Sequence, residues 1–246
     1  MHKALHERSQ LQHKHSKEPV CCDWFLLALI FGFRQIEWCQ AKGSSLLTRI
    51  WLNDFNDVYA FTMNDIKLYG VGKVELNLEI ALKNPHLIMY VKVLFWWQKN
   101  NDHGISRWCA RNDKRTYLCP IRAWIRILHR FIQLRGIKCK DQPLAIYQNK
   151  SGMARNMTAD VVNDLLRDLA IKTYNLTDTE EIQKFSSHSL RVGACCLLFA
   201  CGYPPEFIQR VLCWRSDAWK GYVRDLIVTA IKHNMAMLQA DTMPQL

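Results

Sequence analysis

The sequence predicts an α+β chain, mostly helical, with a small antiparallel β-sheet inserted near the N-terminal third. Three observations lead there. Apolar residues recur at helical spacing in "CPIRAWIRILHRFIQLRG" (119–136), in "MTADVVNDLLRDLAIKTY" (157–174) and again from Ser186 onward. Two runs suited to strands, "LIMYVKVLFWW" (Leu87–Trp97) and the alternating "ISRWCAR", flank "QKNNDHG". Asn100, Asn101, Asp102 and Gly104 give that link turn chemistry, so the three pieces read as a hairpin. Finally, the chain has no internal repeat, no low-complexity tract and no convincing domain boundary. At 246 residues it is long enough to bury a substantial core.

The elements follow in order. Residues 1–20 are polar and basic and read as a flexible leader, which leaves 21–246 as one domain. Its histidines (His2, His6, His13 and His15) are not read as a metal site. A helix is expected over roughly Cys22–Cys39, apolar on most sides and therefore buried. "AFTMNDIKLY" (60–69) reads as one strand, ahead of the hairpin. Pro120 suits a first helical position and Gly136 a stop, with Ile121, Trp124, Leu128, Phe131 and Ile132 on the inner face. "PLAIYQN" reads as a short strand, and Thr158 as the N-cap of the next helix. Further helices are expected at about 187–201, 204–213, 216–222 and 223–239, broken first by Gly202 and Pro204–Pro205.

Charge and cysteine usage narrow the function classes. A formal net charge of +11 favours polyanionic partners, of which nucleic acid is the commonest. Ten cysteines include adjacent pairs but no C-x-x-C, and several lie in apolar helical patterns. That argues for a reducing compartment, with neither a disulfide framework nor a metal site. The longest apolar run, Trp24–Phe33, is too short to span a bilayer, and the N-terminus lacks the form of a secretory signal. The expectation is an intracellular protein, nuclear if the source is eukaryotic and cytoplasmic otherwise.

The residues that stand out chemically lie mostly near the C-terminus. His188 and Arg191 are three apart at the start of an apolar helix and so share a face. The helix start already favours an anion, and an Arg fork suits phosphate oxygens. Alone, the pair reads more readily as ordinary helix capping. Arg34 follows the first apolar run in "FGFRQIEW", where it can reach an anion or simply pair with Glu37. Lys99 sits at the hairpin tip, where one Lys is usually plain surface. Tyr222 follows Trp214 by eight residues in "CWRSDAWKGYVRD". A Tyr hydroxyl is a poor nucleophile unless a base or nearby cations activate it. Grouped around one phosphate, these side chains would describe phosphoryl transfer by a tyrosine, with cations bearing the transition-state charge.

In that order the residues resemble the tyrosine recombinases, the phage-integrase superfamily. "FGFRQIEW" matches the family's first box, a G-x-R-x-x-E pattern, and puts its Arg at Arg34. Lys99 matches the β-hairpin Lys, "HSLRVGA" the H-x-x-R box, Trp214 the His-or-Trp position, and Tyr222 in "KGYVRD" the nucleophile. The match runs from about Asp23 to Arg224. The "LCPIRAW" segment is similar to recombinases of eukaryotic mobile elements.

The resemblance implies a catalytic domain that cuts and rejoins double-stranded DNA through a 3′-phosphotyrosine, without cofactor or metal. Arg34 and Arg191 would hold the non-bridging oxygens, and Lys99 would protonate the leaving oxygen. His188 would move the tyrosine proton, and Trp214 would pack on the phosphate or donate to it. It further implies a homo-oligomer, a tetramer on DNA, with the amphipathic Val223–Gln239 docked into a neighbour. The resemblance would also call for a separate N-terminal DNA-clamping domain; some twenty residues precede the first box here, as expected either of a catalytic domain cut from a longer chain or of a minimal protein with weaker DNA grip. Tyr203, in a turn, is a rival tyrosine that the spacing disfavours. Two neighbouring readings stay open: a catalytically silent DNA-binding protein on the same fold, and a type IB topoisomerase. The expected geometry has Arg34, His188 and Arg191 around one cavity, with Lys99 and Tyr222 on segments able to lie apart from it.

Overall fold

The computed structural model describes residues 5–7, 13–39, 60–95, 104–212, 214 and 217–223. Among these the chain is mostly helical, with a small three-stranded antiparallel sheet and a two-stranded ribbon.

Helix α1 (Lys17–Phe31) is buried along most of its length, with Val20, Trp24, Leu27 and Ala28 fully enclosed. It begins inside the stretch read as a leader and ends well before Cys39. Leu5, also from that stretch, is completely buried in the main core. The stop is Gly32, whose φ of 64° is left-handed backbone that an L side chain resists; its N–H closes on the Ala28 carbonyl. Phe33, Trp38 and Cys39 remain buried beyond the helix, on a 3₁₀ turn (Gln35–Glu37) and its flanks. Continuous burial hid this helix end, because periodicity marks only a boundary between a wet and a dry face.

Strand β1 (Ile66–Tyr69) is shorter than the 60–69 expected. Thr62 and Asp65 close a 3₁₀ turn over Met63–Asp65, in which the Asp65 carboxylate accepts from both the N–H and the hydroxyl of Thr62. After a short helix, α2 (Leu78–Lys83), come β2 (Tyr90–Phe95) and β3 (Ile105–Ala110). The order is β1-β2-β3, antiparallel throughout, with Val93 opposite both Ile66 and Arg107. Strand β2 alternates cleanly: Val91, Val93 and Phe95 face the core. Its link to β3, which includes Lys99, lies outside the described residues.

Helix α3 (Pro120–Arg135) has Pro120 at its start and stops at Gly136. The "PLAIYQN" segment forms β4 (Ile146–Gln148), paired with β5 (Ala154–Asn156), a partner the sequence reading did not anticipate. Thr158 caps α4 (Ala159–Tyr174) by accepting from the Val161 N–H. A short helix, α5 (Thr179–Gln183), precedes α6 (Ser187–Ala200), α7 (Pro205–Leu212) and α8 (Lys220–Val223). The tail helix expected over 223–239 falls outside the described residues apart from Val223.

Among the described residues, two hydrophobic groups hold the molecule together. The larger joins α1, α3, α4 and the sheet around an aromatic nest. In it Trp24 stacks on Trp38 (5.5 Å) and meets Trp124 edge-on (5.6 Å), and Phe33 touches Phe61 (4.7 Å). The smaller consists of Ala194 and Cys195 from α6, Ile208 and Leu212 from α7, and Trp219 and Val223 near α8. Helix α1 packs against both α3 and α6, and so connects the two.

Candidate active site

The site forms where the end of α1 meets α6 and the smaller core. Burial of Trp219 and Val223, four residues apart, fixes α8 on α6 and α7. Tyr222, beside Val223, is left half-buried at the edge of that packing. Its backbone carbonyl accepts from the Cys196 thiol at 3.5 Å. Its hydroxyl oxygen lies 3.1 Å from His188 Nε2, and the two rings are 5.7 Å apart, edge to face. Tyr222 is therefore docked against α6.

His188 occupies the first turn of α6, where Ser186 and Ser189 close a capping box. The imidazole edge is exposed to solvent. Even so, partial burial of the ring and then the Arg191 charge hold its pKa below the ordinary histidine value. Near neutral pH the ring is thus uncharged and able to take a proton from the tyrosine hydroxyl.

Arg191, one turn further along, is only 5% exposed. Its guanidinium donates to the Gly32 carbonyl at the end of α1 and to the Leu212 carbonyl at the end of α7. The Trp214 ring covers it, 5.0 Å from centroid to the guanidinium carbon, and Trp214 lies 5.6 Å from the Tyr222 ring. One buried cation thus fastens three chain segments together beneath the tyrosine.

Arg34 reaches the same region through its neighbours in sequence. Gly32 accepts from Arg191, and the Gln35 side chain accepts from the Ser187 hydroxyl at 2.7 Å, so both flanks of Arg34 grip α6. The Arg34 N–H donates to Glu37 at 2.7 Å, and its guanidinium is 3.9 Å from the same carboxylate. Burial pushes the Glu37 carboxyl up to about 7, against the opposing influence of that hydrogen bond and of the Arg34, Arg191 and Arg107 charges. The charges of three arginines thus act on one enclosed acid, with Arg34 in contact with it.

The structure brings His188, Arg191, Trp214 and Tyr222 into one cluster, and the chain on either side of Arg34 is tied to α6 through Gly32 and Gln35. Lys99 lies outside the described residues. Tyr203, half-exposed, stacks on Phe207 at 4.6 Å instead. Arg107 escaped the sequence reading. Its guanidinium lies 5.7 Å from the Phe95 ring and donates to the Arg210 carbonyl at 2.6 Å, which ties the hairpin to α7. The clue was available: alternation along β3 puts Arg107 in the same row as the buried Cys109, an inward position where an Arg needs a reason.

Among the described residues no group of His, Cys, Asp and Glu is arranged to hold a metal ion, and the nine described cysteines are free thiols. No described helix is long and apolar enough to cross a membrane.

No family model matches the sequence, and no curated protein matches it either. Among solved structures, one similar to the chain is the Tn1549 transposon integrase in complex with transposon right-end DNA, at TM-score 0.46 and 15% identity. The match covers 96% of this chain and 64% of that one. Another is the same integrase with circular-intermediate DNA, at TM-score 0.43 and 16% identity, covering 95% of this chain and 62% of that one. The chain thus spans less than two thirds of the integrase chain to which it is similar.

Proposed function

We propose that this chain is the catalytic domain of a tyrosine recombinase, which cleaves and rejoins double-stranded DNA with Tyr222 as nucleophile. The observation that carries the proposal is the 3.1 Å approach of Tyr222 Oη to His188 Nε2, with the Trp214-covered Arg191 beside it. A tyrosine, an uncharged imidazole in hydrogen-bond reach and a buried guanidinium are the parts a metal-independent attack on a phosphodiester needs.

In the proposed reaction the Tyr222 oxygen forms a bond to phosphorus as its proton passes to His188. The bond from phosphorus to the 5′-oxygen breaks, leaving a 3′-phosphotyrosine, and the leaving oxygen takes a proton from Lys99. Attack by a second strand's 5′-hydroxyl reverses these steps at a new junction. Arg34 and Arg191 offset the charge on the non-bridging oxygens. Arg191 already serves two carbonyls, so it contributes positive charge at a fixed place, whereas the partly exposed Arg34 is better placed to contact the phosphate. The +11 charge supplies general attraction to the duplex.

The test is adduct formation on duplex DNA carrying a nick or a suicide cleavage site. A covalent protein–DNA species that survives denaturation, and is lost in Tyr222→Phe with duplex binding retained, is the expected result. Salt-sensitive binding with no adduct in the native chain would leave a silent DNA-binding protein on the same fold. Relaxation of supercoils without a paired site would instead indicate topoisomerase action.

A further inference from the structure

A second cationic feature lies away from the tyrosine. A cleft of about 530 Å³ opens between the chain before α1, the N-terminal half of α1 and the outer face of α3. Arg122, Arg126 and Arg130 enter it from α3 at four-residue spacing, a single stripe along one helix face. Lys14 and His15, from the chain before α1, also line it, and the Lys14 carbonyl accepts from Arg130 Nε at 3.3 Å. Among the described residues that line it, the one carboxylate is Asp23, which is 2% exposed. Asp23 is already held by Arg126 at 2.6 Å and Arg130 at 3.0 Å. Asp113, at the rim, touches Arg122 at 3.4 Å.

The cleft is therefore left with an excess of positive charge in a concave, partly enclosed space, which concentrates the field. Arg122 and Arg126 keep side-chain exposures of 40% and 43%, so both can be reached from solvent. His15 is a second and independent pointer. It is only 9% exposed, it lines the cleft, and its Nδ1 has no hydrogen-bond partner. A buried ring nitrogen without a partner costs free energy that a bound ligand would recover. The volume falls within the range of small-ligand cavities. The location is also separate: Asp23 and Gly32 are nine residues apart on α1, about 13 Å along the axis at the usual helical rise.

We infer that this cleft is a binding site for a small polyphosphate anion, with the Arg122, Arg126 and Lys14 side chains donating to its oxygens and His15 Nδ1 as a further donor. Arg forks suit the oxygens of adjacent phosphates, and the four permanent cations still outnumber Asp23 and the rim Asp113 by two, an excess that suits more than one negative charge. The inference does not depend on the chemistry proposed for Tyr222.

Inorganic tripolyphosphate is the probe, titrated calorimetrically into the full chain at moderate salt, with duplex DNA as competitor. Expected are saturable one-to-one binding and at least a tenfold loss of affinity in the Lys14→Ala/Arg122→Ala double variant. Lys14→Ala alone, an exposed position, should give a smaller loss in the same direction and guards against misfolding of the double variant. Adduct formation at Tyr222 should be unchanged in both. No saturable binding, or binding indifferent to both variants, overturns the inference. So does a double variant that loses duplex affinity as steeply as tripolyphosphate affinity, because the cleft would then be a contact for the DNA backbone.

Discussion

His188 and Tyr222, 34 residues apart in sequence, meet through Nε2 and Oη at 3.1 Å. The contact needs two separate devices. The capping box at Ser186 fixes the first turn of α6, and burial of Trp219 and Val223 fixes α8 against it. The tyrosine's place is therefore set by apolar packing on either side of it.

Replacing Tyr222 by Phe removes one partly exposed hydroxyl hydrogen bond, worth about 1 kcal/mol. The thermal midpoint should move only slightly while covalent adduct formation falls to background. His188→Ala should lower the single-turnover rate of adduct formation by roughly 10²–10⁴-fold, the usual range for loss of a positioned base. Quench-flow measurement on a nicked duplex separates the two variants, because only the Tyr222 substitution removes the nucleophile itself.

The pH dependence of cleavage follows from the same pair. Partial burial and Arg191 hold His188 below its ordinary pKa, so it takes up a proton only in mildly acid solution. Adduct formation should lose rate on the acid side with a midpoint below the ordinary histidine value. Removing the Arg191 charge, as in Arg191→Met, should move that acid limb to higher pH. An acid limb unmoved in the variant would mean that another group titrates.

Glu37 makes stability depend on pH in the unusual direction. Its folded-state pKa, up at about 7, exceeds the unfolded value of 4.5, so between those limits the folded chain binds the extra proton. Stability should therefore fall as pH rises from about 4.5 to about 7 and level off above, by roughly 3 kcal/mol from this one group. Glu37→Gln retains an acceptor for the Arg34 N–H but cannot titrate. Denaturant melts across that window should show a flatter profile in the variant.

Asp23 is the acid between Arg126 and Arg130. Asp23→Ala would strand the nearly buried Arg130 charge, and breaking one side of a buried pair costs about 3–5 kcal/mol. A loss below 1 kcal/mol by chemical denaturation would show that water compensates both arginines.

Gly32→Ala should be damaging for two reasons at one atom. Its φ of 64° strains any side chain, and the added methyl would overlap the Leu212 side chain. Leu212 also supplies one of the carbonyls that hold Arg191. Adduct formation should thus fall further than the loss of stability alone explains, a comparison best made well below the melting temperature.

By itself the sequence determined those features that depend on neighbours along the chain. Pro120 and Gly136 bound α3 because one fits a first helical turn and the other leaves it, and Thr158 caps α4 with its own hydroxyl. The alternation of β2 and the i, i+3 placement of His188 and Arg191 are likewise local periodicity. What only the tertiary structure decided involves partners distant in sequence. The end of α1 at Gly32 was hidden because burial continues through Phe33 and Trp38. Arg191 serves carbonyls at the ends of two other helices, the charges of Arg34, Arg191 and Arg107 act together on Glu37, and Tyr222 lies on His188. Spacing along a chain states which groups can share a helix face. Which buried charges must be neutralised together is decided when separate segments exclude water from the same place.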